Sequence, residues 1–230
     1  MAQNRIGRRG EGQRQRSARA SCRVLDAEGE NIDVADMWTD AHLQLGREAL
    51  AGKHPQQALA EFELAPAIPA NLPTDGFNLT ARAPEVDYWM GEAWSAAGNP
   101  AKARESWQRS ARAESAPARQ GYGELTPLVQ SYYQALSLRT LGQTDQATNK
   151  LRDLVAGSNQ ALRQGPVELN PNQSPDALRA QRSSLALAHY AAALGYLGLD
   201  EKQDARRELT KALEISPDSV GARSAMEDLK

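Results

Sequence analysis

Apolar positions begin to recur at helical spacing near Asp36, where Met37, Trp38, Ala41, Leu45, Ala49 and Leu50 define one face. Gly52 ends this first segment, and Pro55 suits the first turn of the next because its missing N–H needs no partner there. Ala58, Phe62 and Ala65 carry the second helix, and Pro66 stops it. The same alternation of helix and breaker continues along the chain. A helix is expected from Pro84 through Ala97, then a turn at Gly98-Asn99-Pro100, then a partner helix over 101–113. Thr126-Pro127 places a hydroxyl cap before a first-turn proline and opens a helix to Leu141. Gly142 breaks it, and 144–156 completes a third pair. Ser174-Pro175-Asp176 repeats the start signal for a long helix reaching Gly198. Asp200 is expected to begin a further helix through Ile215, and Ser216-Pro217-Asp218 to start a short terminal helix over 218–229. No segment sustains strand alternation, so the expected class is all-α. Pro/Gly-rich loops are expected at 66–83, around Pro117 to Gly123, and at 157–173.

One set of offsets recurs within these pairs. A small mid-helix residue is followed after seven positions by a turn residue, after five more by Ala, and after four more by a bulky apolar residue. The sets are Gly46/Lys53/Ala58/Phe62, Gly91/Gly98/Ala103/Trp107 and Ala135/Gly142/Ala147/Leu151. A looser fourth set reads Gly198, Ala205, Leu209, Ala212 and Pro217. Fixed offsets of this kind are the sequence form of stacked helix hairpins. A mid-helix Gly costs about 1 kcal/mol against Ala, and close passage of the partner helix at the matching Ala would offset that. Phe62, Trp107 and Leu151 are expected to fill the space beside the small-residue contact. The Ala marker advances by 45, 44 and 58 residues, so the helix pairs are kept and the connections enlarged.

Charge changes the picture only at the N-terminus. The 230-residue chain has net charge −2, yet residues 1–23 hold seven Arg and one Glu. Residues 1–35 are too poor in apolar side chains to offset ordering entropy and are expected to be a disordered basic tail. The tail has no aromatic interleaving, so specific nucleic-acid binding is not expected. The rest is mildly acidic, with no run of apolar residues long enough to cross a membrane. The lone Cys22 forms no internal pair and fits a reducing, cytoplasmic location.

Candidate chemistry is sparse. His42, His54 and His189 are far apart in sequence and carry no metal-binding spacing. Glu61/Glu63 and Asp200/Glu201 read as solvated helix faces. No catalytic residue, metal or cofactor is expected, and the chain reads as a non-enzyme. All four tryptophans, Trp38, Trp89, Trp94 and Trp107, fall in the first half. They serve either core packing or a ligand platform, and Trp89, off the core stripe, is the candidate for the second role.

The residues Gly91, Trp94, Gly98, Ala103 and Trp107, with Ala212 and Pro217 in the last copy, resemble tetratricopeptide repeats. The first copy departs from that pattern with Ala49 and Lys53, and the fourth with two extra residues between Gly198 and Ala205. The resemblance implies an α-solenoid of about four helix pairs over 36–230, with enlarged loops and a short C-terminal helix. It also implies a concave groove lined by the first helix of each pair. Carried over by offset, the groove holds Leu43, Arg47 and Leu50, then Glu85, Tyr88, Glu92 and Ser95, then Val129, Tyr132, Leu136 and Arg139. His189, Ala192 and Tyr196 lie near it in the fourth copy. Arg47, Tyr88, Trp89, Glu92, Tyr132, Arg139 and His189 are the candidate partner-binding residues, and a protein or peptide is the expected partner. A narrower set of segments is similar to the C-terminal repeat region of a bacterial domain-of-unknown-function family with carbohydrate-related N-terminal β-sandwich domains. These are Leu45-Gly46-Arg47, Ala58-x3-Phe62, Pro69-Ala70-Asn71-Leu72, Tyr88-Trp89-x-Gly91 and Tyr132-Tyr133-x-Ala135. That likeness implies an accessory repeat region whose catalytic domain is absent from this chain.

Overall fold

A computed structural model of the chain describes residues 34–71, 82–113, 126–164 and 174–229. The expected basic tail, apart from its last two residues, lies outside the described residues, as do most of the first expected loop and the whole of the second. Every regular element among the described residues is an α-helix. The helices fall into two compact units, divided between residues 78 and 79.

The first unit is a helical hairpin, α1 (Val34–Ala51) and α2 (Pro55–Leu64). The second holds α3 (Ala83–Ala96), α4 (Pro100–Arg112), α5 (Thr126–Thr140), α6 (Thr144–Gln164), α7 (Pro175–Gly198), α8 (Lys202–Ile215) and α9 (Val220–Asp228). Start signals act as their chemistry dictates. Asn99 and Ser174 accept from the backbone N–H of Lys102 and Ala177, and each is followed by proline at the first helical position.

Four hairpin turns share one geometry. In each, one backbone N–H reaches back five residues and the preceding one reaches back three. The bonds are His54 to Ala49 and Lys53 to Leu50, Asn99 to Trp94 and Gly98 to Ser95, Gln143 to Leu138 and Gly142 to Arg139, and Glu201 to Tyr196 and Asp200 to Leu197. This paired bond is the Schellman closure, which needs a left-handed residue just past the helix. Gly98 and Gly142 supply it with φ of 76° and 82°. Lys53 and Asp200 supply it with φ of 60° and 63°, against the steric preference of any residue with a Cβ.

The fourth turn corrects the expected register. Gly198 does not break the chain; it is the last residue of α7, and Leu151 packs against it. Asp200 is the turn residue, not the start of a helix. The fourth set therefore reads Ala193/Asp200/Ala205/Leu209, with the same offsets as the other three and no extra residues.

The packing of each hairpin differs from the expected one in a specific way. The bulky residue does not lie beside the small-residue contact; it sits on the small residue itself. A Cβ added to Gly46 would run into the Phe62 ring, and one on Gly91 into the Trp107 indole. Ala135 and Leu151 share one buried cluster, and Ala193 and Leu209 share another. The separation is sixteen residues in all four pairs.

In the second unit each helix pair packs on the next in the same manner. The first helices adjoin one another, α3 on α5, α5 on α7 and α7 on α9, and each second helix packs on the next first helix. Polar bonds cross these junctions. Ser110 donates to the Pro84 carbonyl (2.7 Å), and Ser137 donates to Ser110 (2.7 Å), joining α3, α4 and α5 through buried hydroxyls. Gln130 accepts from the Glu85 backbone N–H at 3.1 Å, and Gln134 donates to the Ala113 carbonyl at 2.7 Å.

Helix α6 is longer than its sequence signals. Gly157 was expected to open a loop, yet the helix continues to Gln164. Ser158 is fully buried, Gly157 packs on Leu128, and Asn159 reaches the Tyr196 hydroxyl at 3.5 Å. Burial between α5 and α7 outweighs the weak helix propensity of Gly.

Candidate functional site

The first helices of the second unit carry an aromatic wall. Tyr88 lies three residues before Gly91, Tyr132 three before Ala135, and, in the corrected register, Tyr190 three before Ala193. All three are half-buried and packed against the cluster of Val129, Tyr133, Leu136, Leu154, Ala191 and Leu194. Tyr88 meets Trp89 edge-on with centroids 5.1 Å apart, and Tyr133 at 5.9 Å. Tyr132 and Tyr133 are also edge-on, at 5.3 Å. Such offset ring arrangements are favourable beyond the area they bury. Through Tyr133 the rings of α3 and α5 meet, while Tyr190 packs against Gly221 at the α7–α9 junction.

The structure brings Tyr88, Trp89 and Tyr132 to one cluster, with Glu92 one turn from Tyr88 on α3. Trp89 is half-buried against this cluster and does not stand apart as a separate platform. Val129 and Leu136, placed on the groove by offset, are buried core residues, as is Ala192. The wall is therefore more apolar and more closed than the offsets implied.

The other candidates lie elsewhere. Arg47 is half-buried on α1, in the first unit. Arg139, near the C-terminal end of α5, donates from Nη1 to the Gly198 carbonyl at 3.1 Å. It thereby caps an orphan carbonyl at the end of α7. His189 faces the partner helix α8, where its Nδ1 meets Glu208 Oε2 at 2.7 Å.

That histidine has a counterpart. His42 Nδ1 meets Glu61 Oε2 at 2.9 Å, across the α1–α2 hairpin. Both pairs are nineteen residues apart and both lie largely out of solvent. Glu61 was expected on a solvated face; it is only 6% exposed because the hairpin turns it onto His42. The shared separation was visible in the sequence, but its meaning depends on which helices pair.

Electrostatics single out one residue of α3, which carries three carboxylates. Arg82 holds Glu85 through two bonds, at 3.1 and 2.7 Å. Arg109 holds Asp87 through two bonds, at 3.0 and 2.7 Å. Glu92 meets no cation among the described residues. Burial pushes its carboxyl above the usual range, with the nearby Trp107 side chain pulling the other way. Burial likewise raises Asp87, with Arg109 pulling the other way. At Glu208 burial also acts upward, but hydrogen bonds from His189 and Lys211 outweigh it and hold the carboxyl below its ordinary value.

No grouping of three or more His, Cys, Asp or Glu side chains suited to a metal ion occurs among the described residues. Nor is any described helix long and apolar enough to cross a membrane. No protein-family model, curated protein or solved structure matches this chain.

Proposed function

We propose that the second unit is a tetratricopeptide-like stack whose first-helix face binds a peptide segment of a protein partner, and that the chain acts as a non-catalytic scaffold. One observation carries this reading. Tyr88, Tyr132 and Tyr190 occupy the same position on three successive first helices. A side chain repeated at one register position, on helices stacked side by side, presents a row of like contacts to an elongated ligand. The four equivalent turns, the two glycine-under-ring contacts and the two clusters that hold the equivalent Ala and Leu support the repeat reading. The α1–α2 hairpin is built on the same plan. Aromatic rings suit this role because they give large contact area at low entropic cost.

The reading is tested by peptide display against the full chain, with a Tyr88→Ala/Tyr132→Ala double variant as counter-selection. Peptides that bind the natural chain and lose affinity for the variant are the expected outcome. Selection of glycans but no peptides by the same surface would overturn the reading in favour of an accessory carbohydrate role.

A further inference from the structure

The His42–Glu61 and His189–Glu208 pairs occupy one register position in two hairpins. Each histidine stands four residues before the small residue of its set, Gly46 or Ala193, and each glutamate one before the bulky residue, Phe62 or Leu209. The same positions in the middle hairpins hold Asp87 with Ser106 and Ser131 with Lys150, so no imidazole lies there. Both histidine–glutamate contacts are short, 2.9 and 2.7 Å, and both glutamates are buried. A carboxylate can accept from Nδ1 whether the imidazole is neutral or charged. Only the charged ring also offsets the carboxylate's charge, and that attraction is strong where water is excluded.

The two pairs differ in what else reaches the carboxylate. Glu208 accepts from Lys211 Nζ at 3.1 Å and lies 3.5 Å from Arg207 Nε, so its charge is offset without His189. Those two cations also oppose a charge on the His189 ring. No charged group of α5, α6 or α9, the other helices packed on α7, meets that ring among the described residues. Glu61 meets no Lys or Arg among the described residues, and His42 is its one cationic partner there. On α1 itself the Trp38 ring lies 4.4 Å from the His42 ring, within the range at which an indole attracts a cation. A buried carboxylate left without a counter-ion is costly, and the imidazole is the side chain that changes charge between about pH 5 and 8. We infer that the α1–α2 hairpin is a proton-operated clasp: it is held closed while His42 is protonated and loosens as that proton is lost with rising pH, whereas the α7–α8 hairpin, built to the same plan, keeps its carboxylate paired throughout.

The test is hydrogen exchange of the full chain at about pH 5.5 and about pH 8, on either side of the imidazole range. Exchange is read by mass spectrometry on peptides covering α1–α2 and α7–α8, each corrected for its intrinsic rate. Protection of α1–α2 should fall about tenfold or more between the two conditions, while that of α7–α8 stays constant. His42→Gln keeps a donor for Glu61 but carries no charge, so it should remove the difference and hold the hairpin at its high-pH level. Glu61→Gln takes away the buried charge and should also remove the difference, with protection at or above that level. The comparison of the two hairpins in the natural chain stands even where a variant fails to fold, and neither outcome depends on peptide binding by the second unit. Equal loss of protection in both hairpins overturns the inference, as does no loss in either, or a loss that survives His42→Gln or Glu61→Gln.

Discussion

The indole of Trp107 lies so close over Gly91 that a methyl group on residue 91 would overlap its ring. The same relationship joins Phe62 to Gly46, sixteen residues apart in each case. Glycine is used here because the partner side chain takes the space a Cβ would need, and because the helix can bear its entropic cost. In an exposed helix, Gly→Ala would gain about 1 kcal/mol. At Gly91 the rigid indole must move, and overpacking of this kind costs about 1–3 kcal/mol. Gly91→Ala is therefore expected to destabilise, in urea unfolding followed by circular dichroism. A stabilised variant would show that Trp107 moves aside freely.

The left-handed turn positions make the opposite prediction. Lys53 and Asp200 hold positive φ where the two equivalent turns use glycine. Lys53→Gly should stabilise by about 0.5–1 kcal/mol, with a smaller gain at Asp200 because aspartate tolerates this region better. Nothing lies within 4 Å of a Cβ built at Gly98 or Gly142. The loss in Gly98→Ala should then be purely one of backbone strain, about 1 kcal/mol. Thermal melts of the three variants would check the set. A gain at Gly98→Ala would contradict the assigned turn geometry.

The buried hydroxyl chain from Ser137 through Ser110 to the Pro84 carbonyl should show a hierarchy. Ser110 both accepts and donates, so Ser110→Ala leaves the Ser137 hydroxyl without its acceptor. Its expected cost is about 1–3 kcal/mol, larger than that of Ser137→Ala, which removes only the donor at the end of the chain. The comparison is made by denaturant midpoints at constant slope. Equal costs would mean that Ser137 finds another acceptor.

The Glu208 cluster predicts a direction of acid sensitivity. The folded-state pKa of Glu208 lies below the ordinary 4.5, so the unfolded chain binds its proton first as pH falls. Its contribution to stability is thus present above about pH 4.5 and is lost as pH drops through the lower folded value. Glu92 and Asp87, raised in the folded state, act the other way: their penalty at neutral pH is relieved on acidification. Glu208→Gln should flatten the acid limb of the stability profile, and Glu92→Gln should raise stability near neutrality. Acid titrations monitored by circular dichroism would reveal both. An unchanged acid limb in Glu208→Gln would remove the role given to the His189–Glu208–Lys211 cluster.

The first-helix face proposed for peptide binding was only partly legible. Tyr88 and Tyr132 could be placed together because both precede a small residue by three positions. Tyr190 was missed because Gly198 looked like the break, and glycine is the usual signal for one. The structure instead puts the left-handed residue at Asp200, since the paired backbone bonds close there and Gly198 is needed under Leu151. His189 and Arg139 were placed near the groove by offset. One turns toward Glu208, and the other reaches the end of α7.

The helices, their starts and most of their ends follow from the sequence by itself. Caps, first-turn prolines and turn glycines act over five residues or fewer, and the 3.6-residue apolar period is a property of a single helix. The recurrence of small and bulky residues also belongs to the sequence. Which of them touch was decided only by tertiary structure, because contact between residues sixteen, nineteen or more apart depends on how two helices rotate about their axes as they pack. That rotation puts Phe62 on Gly46 and Trp107 on Gly91, and turns His42 and His189 onto buried glutamates. It also carries α6 past Gly157, where burial against α5 and α7 overrides local propensity.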